Sequence, residues 1–209
     1  AGHSNSPGIS SGNTDAYLIK IDQKGNLIWQ KAHGNPAFPN HEWAYDITQL
    51  PDEGFLVVGG RNRYSYGSKN GLVLRTDKEG TLLWEKEFLE EGQAEETVYS
   101  ISNTNNGDYF ICSTTNSVAE PGIYQPKIRK IDLEGNIDWQ RTFAANGKNY
   151  HRFQATGTQK GDILLVGSSG RDVARGYDED AFMVRVDNKG NIIWSFAYGT
   201  YDNDDWGWS

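Results

Sequence analysis

Short stretches in which apolar and polar residues alternate recur along the chain, and polar turns follow them. Residues 17–21 and 182–186 alternate in this way, which is typical of β-strands. Continuous apolar runs at 54–59, 108–113 and 162–167 predict strands that are buried on both faces. No stretch has the 3.6-residue apolar period of an amphipathic helix. The pattern therefore predicts an all-β fold.

One eight-residue segment occurs four times and has Asp, Gly and Trp at its first, fourth and eighth positions. The copies are 22–29, 77–84, 132–139 and 187–194, so each begins 55 residues after the one before. An aspartate opens a turn by accepting local backbone hydrogen bonds, and a glycine supplies the left-handed backbone conformation. The segment predicts a β-hairpin, which explains these aspartates without making them metal ligands.

Each repeat also contains the apolar run described above and one further strand before it. Residues 45–50, 99–104 and 153–158 precede the apolar runs and are separated from them by the turns 51–54, 105–107 and 159–161. The unit is thus four short strands, A to D in chain order. Four antiparallel strands in a unit of about 55 residues predict a blade of a β-propeller.

The strand C pattern, followed by Asp-x-x-Gly-Asn, an apolar pair and Trp, resembles the repeat propellers of bacterial secreted and cell-surface proteins. It is more distantly similar to the quinoprotein-type repeat, in which this Trp docks one blade on the next. The resemblance implies an extracellular or bacterial cell-surface location, but no particular activity. The vicinal cysteines of quinoprotein dehydrogenases are missing, since Cys112 is the only cysteine. The Asp-x-x-Gly-x-x-x-Trp spacing here also differs from the shorter Asp-x-Gly-x-x-Trp box of sialidases. Cys112 is predicted to be a small core residue.

The repeats start and stop within a blade. Complete blades are expected near 44–88, 97–143 and 151–197, with partial blades at 1–33 and 206–209. Residues 1–4 are aligned with 59–62, the end of a strand B. Residues 1–209 are therefore either one closed propeller domain or a fragment of a larger propeller.

Long, variable connections lie on one side of such blades, and binding residues usually occur on loops of this kind. Their aromatic, basic and imidazole side chains are predicted to bind a ligand. The candidates are His41, Trp43, Tyr64, Tyr66, Tyr150, His151, Arg152, Tyr177, Tyr201 and Trp206. The alternative is that these rings pack between blades.

Two acidic clusters on the same side offer the oxygen ligands that Ca²⁺ prefers. They supply a possible calcium site from Asp178, Asp180, Asp202, Asp204 and Asp205. No other cofactor is expected. The four histidines lack the spacing of a metal site, and no catalytic motif is present.

A net charge of −8 argues against a nucleic-acid partner, and no apolar run is long enough for a transmembrane segment. The leading hypothesis is a non-enzymatic binding or assembly module that recognises a protein or a glycan and belongs to a larger chain or assembly. The alternatives are a propeller-type glycan hydrolase or lyase and a structural spacer between other domains.

Overall fold

A computed structural model of the chain describes residues 1–10, 13–35, 40–62, 69–88, 95–116, 123–143, 149–170 and 179–199. Within these ranges the chain forms fifteen β-strands and no helix, which confirms the predicted all-β class. Accordingly, no helix in this part of the chain could cross a bilayer.

The strands form four sheets, I to IV in chain order, in which neighbouring strands are also consecutive in the sequence. Sheet I contains β1 (Gly2–Ser4), β2 (Asp15–Ile21) and β3 (Leu27–His33). Sheet II contains β4 (His41–Gln49), β5 (Phe55–Asn62), β6 (Lys69–Thr76) and β7 (Leu82–Phe88). Sheet III contains β8 (Glu96–Asn103), β9 (Tyr109–Asn116), β10 (Tyr124–Ile131) and β11 (Ile137–Thr142). Sheet IV contains β12 (Asn149–Gly157), β13 (Ile163–Gly170), β14 (Glu179–Val186) and β15 (Ile192–Tyr198).

The predicted division into four-strand repeats matches sheets II, III and IV, while sheet I has three strands. The expected partial unit at 206–209 lies outside the described residues. One sequence alignment was wrong by a residue. Gly2 pairs with Tyr17, and Gly59 pairs with Leu72 at the matching position, so Gly2 rather than Ala1 corresponds to Gly59.

The chain divides into two compact units, residues 1–98 and 99–209. In the first unit, a core of Ala16 and Leu18 from sheet I packs with Ala44, Leu72 and Leu74 from sheet II. The core of the second unit joins sheet III to sheet IV in the same way. It includes Phe110, Cys112, Ile128, Ile163, Leu165, Val184 and Val186. Cys112 is buried in that core, as predicted.

The repeated segment forms a hairpin turn, which confirms the sequence interpretation. In the first copy, the Asp22 carboxylate accepts hydrogen bonds from the backbone of Lys24 and Asn26 at 2.8 Å and from the Asn26 side chain at 2.8 Å. These bonds, the side-chain bond first, lower the pKa of Asp22. Gly25 has a φ of 85°, and the φ angles of the equivalent residues Gly80, Gly135 and Gly190 are also positive. The Asp22 carboxylate therefore stabilises the turn by accepting these hydrogen bonds.

The tryptophan of the segment contacts the turn of the next sheet within each unit. The indole Nε1 of Trp29 donates to the carbonyl of Lys78 at 3.3 Å, and Trp139 donates to Asn188 at 2.9 Å. The rings lie so close to Gly80 and Gly190 that an added Cβ would be 2.8 Å from a ring carbon in each case. Tryptophan docking between consecutive sheets is thus found in both units.

Candidate binding surface at the long-loop edge

The two edges of sheet II differ in their connections. At one edge β4 and β6 begin while β5 and β7 end, and the connections there span 63–68 and 89–95. At the opposite edge the strands are joined through the short turns at 50–54 and 77–81. We call these the long-loop edge and the short-turn edge, and use the same names for the corresponding edges of the other sheets.

Arg61, near the end of β5, is surrounded by carboxylates at the long-loop edge. Its Nε donates to Glu42 at 2.8 Å, and its two terminal nitrogens reach Glu85 at 3.0 and 2.9 Å and Glu87 at 2.5 Å. Asn70 donates to the other oxygen of Glu87 at 3.0 Å. Four strands of sheet II therefore contribute to this group, which we call the Arg61 cluster.

Arg61 and Glu42 are buried at the centre of the cluster, whereas the Glu85 side chain is 38 % exposed. Burial lowers the pKa of the Arg61 guanidinium, but hydrogen bonds to Glu85 and Glu87 outweigh it, so the pKa lies above its usual range. Burial raises the pKa of Glu42 to about 7 against the opposing effect of Arg61, and the carboxylates of Asp15 and Glu85 add to the rise. Glu42 is only 1 % exposed, and its second oxygen has no hydrogen-bond partner among the described residues. Glu42 is therefore partly protonated near neutral pH.

His33, at the end of β3, is a second buried titratable group in the first unit. Its Nε2 atom is buried without a hydrogen-bond partner in the described part of the chain. Burial lowers the pKa of this imidazole, and the charge of Lys31 adds to the effect. The side chain is consequently neutral at pH 7, which is how an imidazole is tolerated beside the core.

The Arg61 cluster is a departure from the repeat. Strand pairing places Ser4, Thr115 and Ser169 at the position that Arg61 occupies in sheet II. Tyr150 stands at the position of Glu42 in sheet IV. A charged pair therefore replaces side chains that are uncharged in sheet IV. The residues predicted from sequence to bind a ligand did not include Arg61, although a charged residue at a repeat position that otherwise has Ser or Thr could have identified it.

Aromatic side chains lie on the other face of the same strand β4. The rings of His41 and Trp43 stack with centroids 6.0 Å apart and an angle of 20° between their planes. A β-bulge between Ala44 and Asp46 inserts Tyr45, whose side chain is 47 % exposed. Bulges of this kind redirect side chains. Of the predicted ligand-binding residues, His41 and Trp43 are thus brought together, and with Tyr45 they form what we call the aromatic strip.

The other candidates from sequence are distributed differently. Tyr150 is buried in the core of the second unit, where its ring lies 5.0 Å from Phe182. Asp180 is half-buried at the start of β14, beside Gly199. Among the described residues no group of three or more side chains could hold a metal ion. The calcium site stays a prediction, since its other four members lie outside the described residues.

The remaining predicted residues lie wholly or partly outside the described part of the chain. The side chains of His151 and Arg152 lie outside the described part of the chain, although their backbones belong to β12. The remaining predictions fall entirely outside the described residues. They are Tyr64, Tyr66, Tyr177, Tyr201 and Trp206 for the ligand and Asp178, Asp202, Asp204 and Asp205 for calcium.

A pocket of about 550 Å³ lies at the short-turn edge of sheet III, lined by 107–109, 130–134 and 136–138. Its cation, Lys130, is held by Asp108 at 2.9 Å and Asp138 at 3.3 Å, and the hydrogen bond to Asp108 raises the pKa of Lys130. Arg185 pairs with Asp162 at the same repeat position. The Lys130 charge therefore belongs to an ion pair that recurs at the same position of the repeat.

The sequence matches no protein-family model and no curated protein.

Proposed function

We propose that this chain is a non-enzymatic β-propeller module that binds a protein or a glycan through the aromatic strip of sheet II. The observation that carries the proposal is the coincidence of two features on β4. The strand carries the buried, Arg61-bound Glu42 where β12 has Tyr150, and His41, Trp43 and Tyr45 present rings on its opposite face.

The propeller architecture is supported by the repeated four-stranded sheets and by the tryptophan contacts between consecutive sheets. Four-stranded units of this length are the blades of propellers. The proposed location outside the cell or on a bacterial surface rests on the resemblance of the repeat.

The aromatic strip has the chemistry of a recognition surface. Aromatic rings bury a large area on binding and have few rotatable bonds, so they lose little conformational entropy. Exposed rings can stack on the apolar faces of sugars or anchor an apolar side chain of a protein. Tyr45 is about half exposed in the described structure, and Trp43 is partly exposed.

The Arg61 cluster supplies a rigid base for the strip. Glu42 lies between His41 and Trp43 in sequence, and its carboxylate is fixed to Arg61 from the neighbouring strand. Breaking one partner of a buried charge pair leaves the other uncompensated, at a cost of several kcal/mol. The start of β4 is therefore held firmly, which preorganises the rings for binding.

The raised pKa of Glu42 is the observation that favours the alternative, a glycan hydrolase, because a general acid must hold its proton near neutral pH. Glu42 is nonetheless buried and occupied by Arg61. Binding without chemistry is the better explanation, and hydrolysis of any glycan that is lost in Glu42→Gln would reverse this order.

The test is a binding screen with printed bacterial and mammalian glycans and a phage-displayed peptide library. For any probe that binds, the double variant Trp43→Ala/Tyr45→Ala should weaken affinity at least tenfold, which corresponds to about 1.4 kcal/mol. Leu83→Ala is the matched control, since Leu83 is exposed on β7 of the same sheet but away from the strip.

Both variants should melt close to the wild-type temperature, because the replaced side chains are all partly exposed. Unchanged affinity in the double variant would exclude the strip as the binding surface. Failure of every probe to bind would favour the spacer function.

A further inference from the structure

We propose that the contact between the start of β4 and sheet I is pH-sensitive, closed while the Glu42 carboxyl is protonated and opened when that carboxyl ionises. The proposal concerns the first unit alone and does not depend on what the aromatic strip binds. Because His41 and Trp43 flank Glu42 in β4, the contact also determines how firmly their rings are held.

The contact joins β4 to sheet I through backbone and side chain together. The backbone N–H of Glu42 donates to the carbonyl of Thr14 at 2.8 Å. Thr14 precedes Asp15, the first residue of β2, and the charge of Asp15 acts on the Glu42 carboxyl. Asp15 is 2 % exposed and Glu42 is 1 % exposed. Two buried carboxyl groups thus come together where β4 is bonded to sheet I.

The surroundings of Glu42 contain more carboxylates than cations. The titratable and charged groups there are Asp15 of β2, His33 of β3, Arg61 of β5, and Glu85 and Glu87 of β7. Arg61 is positively charged and already bonded to both glutamates of β7, while His33 is neutral. An ionised Glu42 is therefore the fourth carboxylate in a group that has one guanidinium.

The hydrogen bonds of Glu42 suit its protonated form. One carboxyl oxygen accepts from Arg61 at 2.8 Å, and the other is buried without a partner in the described part of the chain. An ionised carboxylate has two acceptor oxygens, and a buried oxygen that lacks a donor is costly. Opening of the contact gives water access to that oxygen. Ionisation therefore favours the open form, and protonation favours the closed form.

The pH range of the opening follows from the same surroundings. Burial raises the pKa of Glu42 to about 7, and the charges of Asp15 and Glu85 add to the rise against Arg61. Water solvates the carboxyl in the open form, so its pKa falls back towards the ordinary value of 4.5. The closed form thus holds the proton more tightly. Its advantage over the open form is complete below about pH 4.5 and is lost as the pH rises towards 7.

The next repeat has the same glutamate without the second carboxyl group. Glu96 aligns with Glu42, and strand pairing places Asn70 at the position of Asp15. A Cβ added at Gly71 would be 3.4 Å from the Glu96 side chain, so this glutamate lies beside the segment that contains Asn70. The chain therefore supplies its own comparison, in which an amide replaces the facing carboxylate.

Amide hydrogen exchange of the 209-residue protein, followed by NMR and corrected for the intrinsic pH dependence of exchange, tests the proposal. The Glu42 amide should lose protection by about tenfold or more between pH 4.5 and pH 7.5. Its exchange should also be insensitive to low concentrations of urea, because the opening is local and exposes little surface. The amide of Val57, in the core of β5, is the reference for opening of the whole unit.

Three variants show whether Glu42 is the titrating group. Glu42→Gln should have the same Glu42-position protection at both pH values. Asp15→Asn, which reproduces the arrangement at Asn70, should keep the contact closed to higher pH. Glu96→Gln is the matched control and should respond to pH like the wild type. NMR spectra check that each variant is folded.

The wild-type measurement alone can overturn the proposal. Protection of the Glu42 amide that does not change with pH would do so, as would urea-dependent exchange that parallels Val57, since β4 would then open only with the whole unit. A Glu42→Gln variant that keeps the wild-type pH response would also contradict it.

Discussion

Glu53 is the one non-glycine residue in the described ranges with a left-handed backbone, at a φ of 66°. It belongs to the turn between β4 and β5. The equivalent positions in sheets III and IV are Gly107 and Gly161, with φ of 81° and 84°. The left-handed conformation disfavours residues that carry a Cβ, so sheet II retains a local strain that the other repeats avoid.

Replacing Glu53 by glycine should stabilise the protein. Relief of backbone strain, roughly 1–2 kcal/mol, exceeds the entropic cost of glycine, roughly 0.5–1 kcal/mol. We expect a net gain of about 0.5–1 kcal/mol in urea unfolding. Gly107→Ala is the reverse experiment in open space and should destabilise. A loss of stability in Glu53→Gly would contradict this account.

Glu42 makes stability depend on pH in a defined window. Its folded pKa of about 7 lies above the ordinary value of 4.5, so the folded protein retains a proton that the unfolded chain has released. Its contribution is therefore complete below about pH 4.5 and is lost as the pH rises towards 7.

The variant Glu42→Gln isolates this effect. The free energy of unfolding of wild type minus that of the variant should fall by roughly 1–3 kcal/mol between pH 4.5 and pH 7.5. Urea unfolding at intervals of half a pH unit measures the difference. A constant difference across the window would show that Glu42 titrates at its ordinary pKa.

At the scale of the element, the hairpin segment unites a turn with a docking surface. Gly80 has a φ of 76° and contacts the Trp29 ring, whereas Gly25 has a φ of 85° and no described atom in the space that a Cβ would take. The two glycines therefore share the backbone requirement and differ in the tryptophan contact.

Alanine substitution separates these contributions. Gly25→Ala should destabilise by about 1 kcal/mol through backbone strain. Gly80→Ala should cost about 1–3 kcal/mol more, because its methyl group overlaps the indole ring and displaces it. Thermal or urea unfolding of both variants provides the comparison. Equal losses would mean that the ring moves away without cost.

The hairpins could be predicted from sequence because their signals are local. Asp22 and Gly25 are three residues apart, and turn chemistry needs nothing beyond that distance. The Arg61 cluster depends instead on side chains from four strands, 19 to 26 residues away from Arg61 for its carboxylate partners. The sequence pattern predicts a loop at Tyr150, but in the structure Tyr150 lies in β12 and is buried, because the boundary of a strand is weakly encoded in sequence.

At the scale of the whole molecule, the repeat fixes a shared scaffold, and departures from it distinguish one sheet from another. Charged residues replace hydroxyl groups at Arg61, and an aromatic residue replaces a basic one at Phe196. The first change lies beside the surface proposed for binding, on the opposite face of β4. The period was visible in the sequence, but exposure of Ile19 against burial of Val184 required the structure.

The Arg61 cluster also favours correct strand pairing during the folding of a chain that contains similar repeats. If β11 or β15 took the place of β7 beside β6, Arg61 would face Gln140 or Ser195 in place of Glu85. The guanidinium would then be buried without the carboxylates of Glu85 and Glu87, at a cost of several kcal/mol. The cluster therefore makes the native pairing of the strands in sheet II more stable than pairing with strands of another repeat. Strand exchange between repeats is a characteristic misfolding error of repetitive chains.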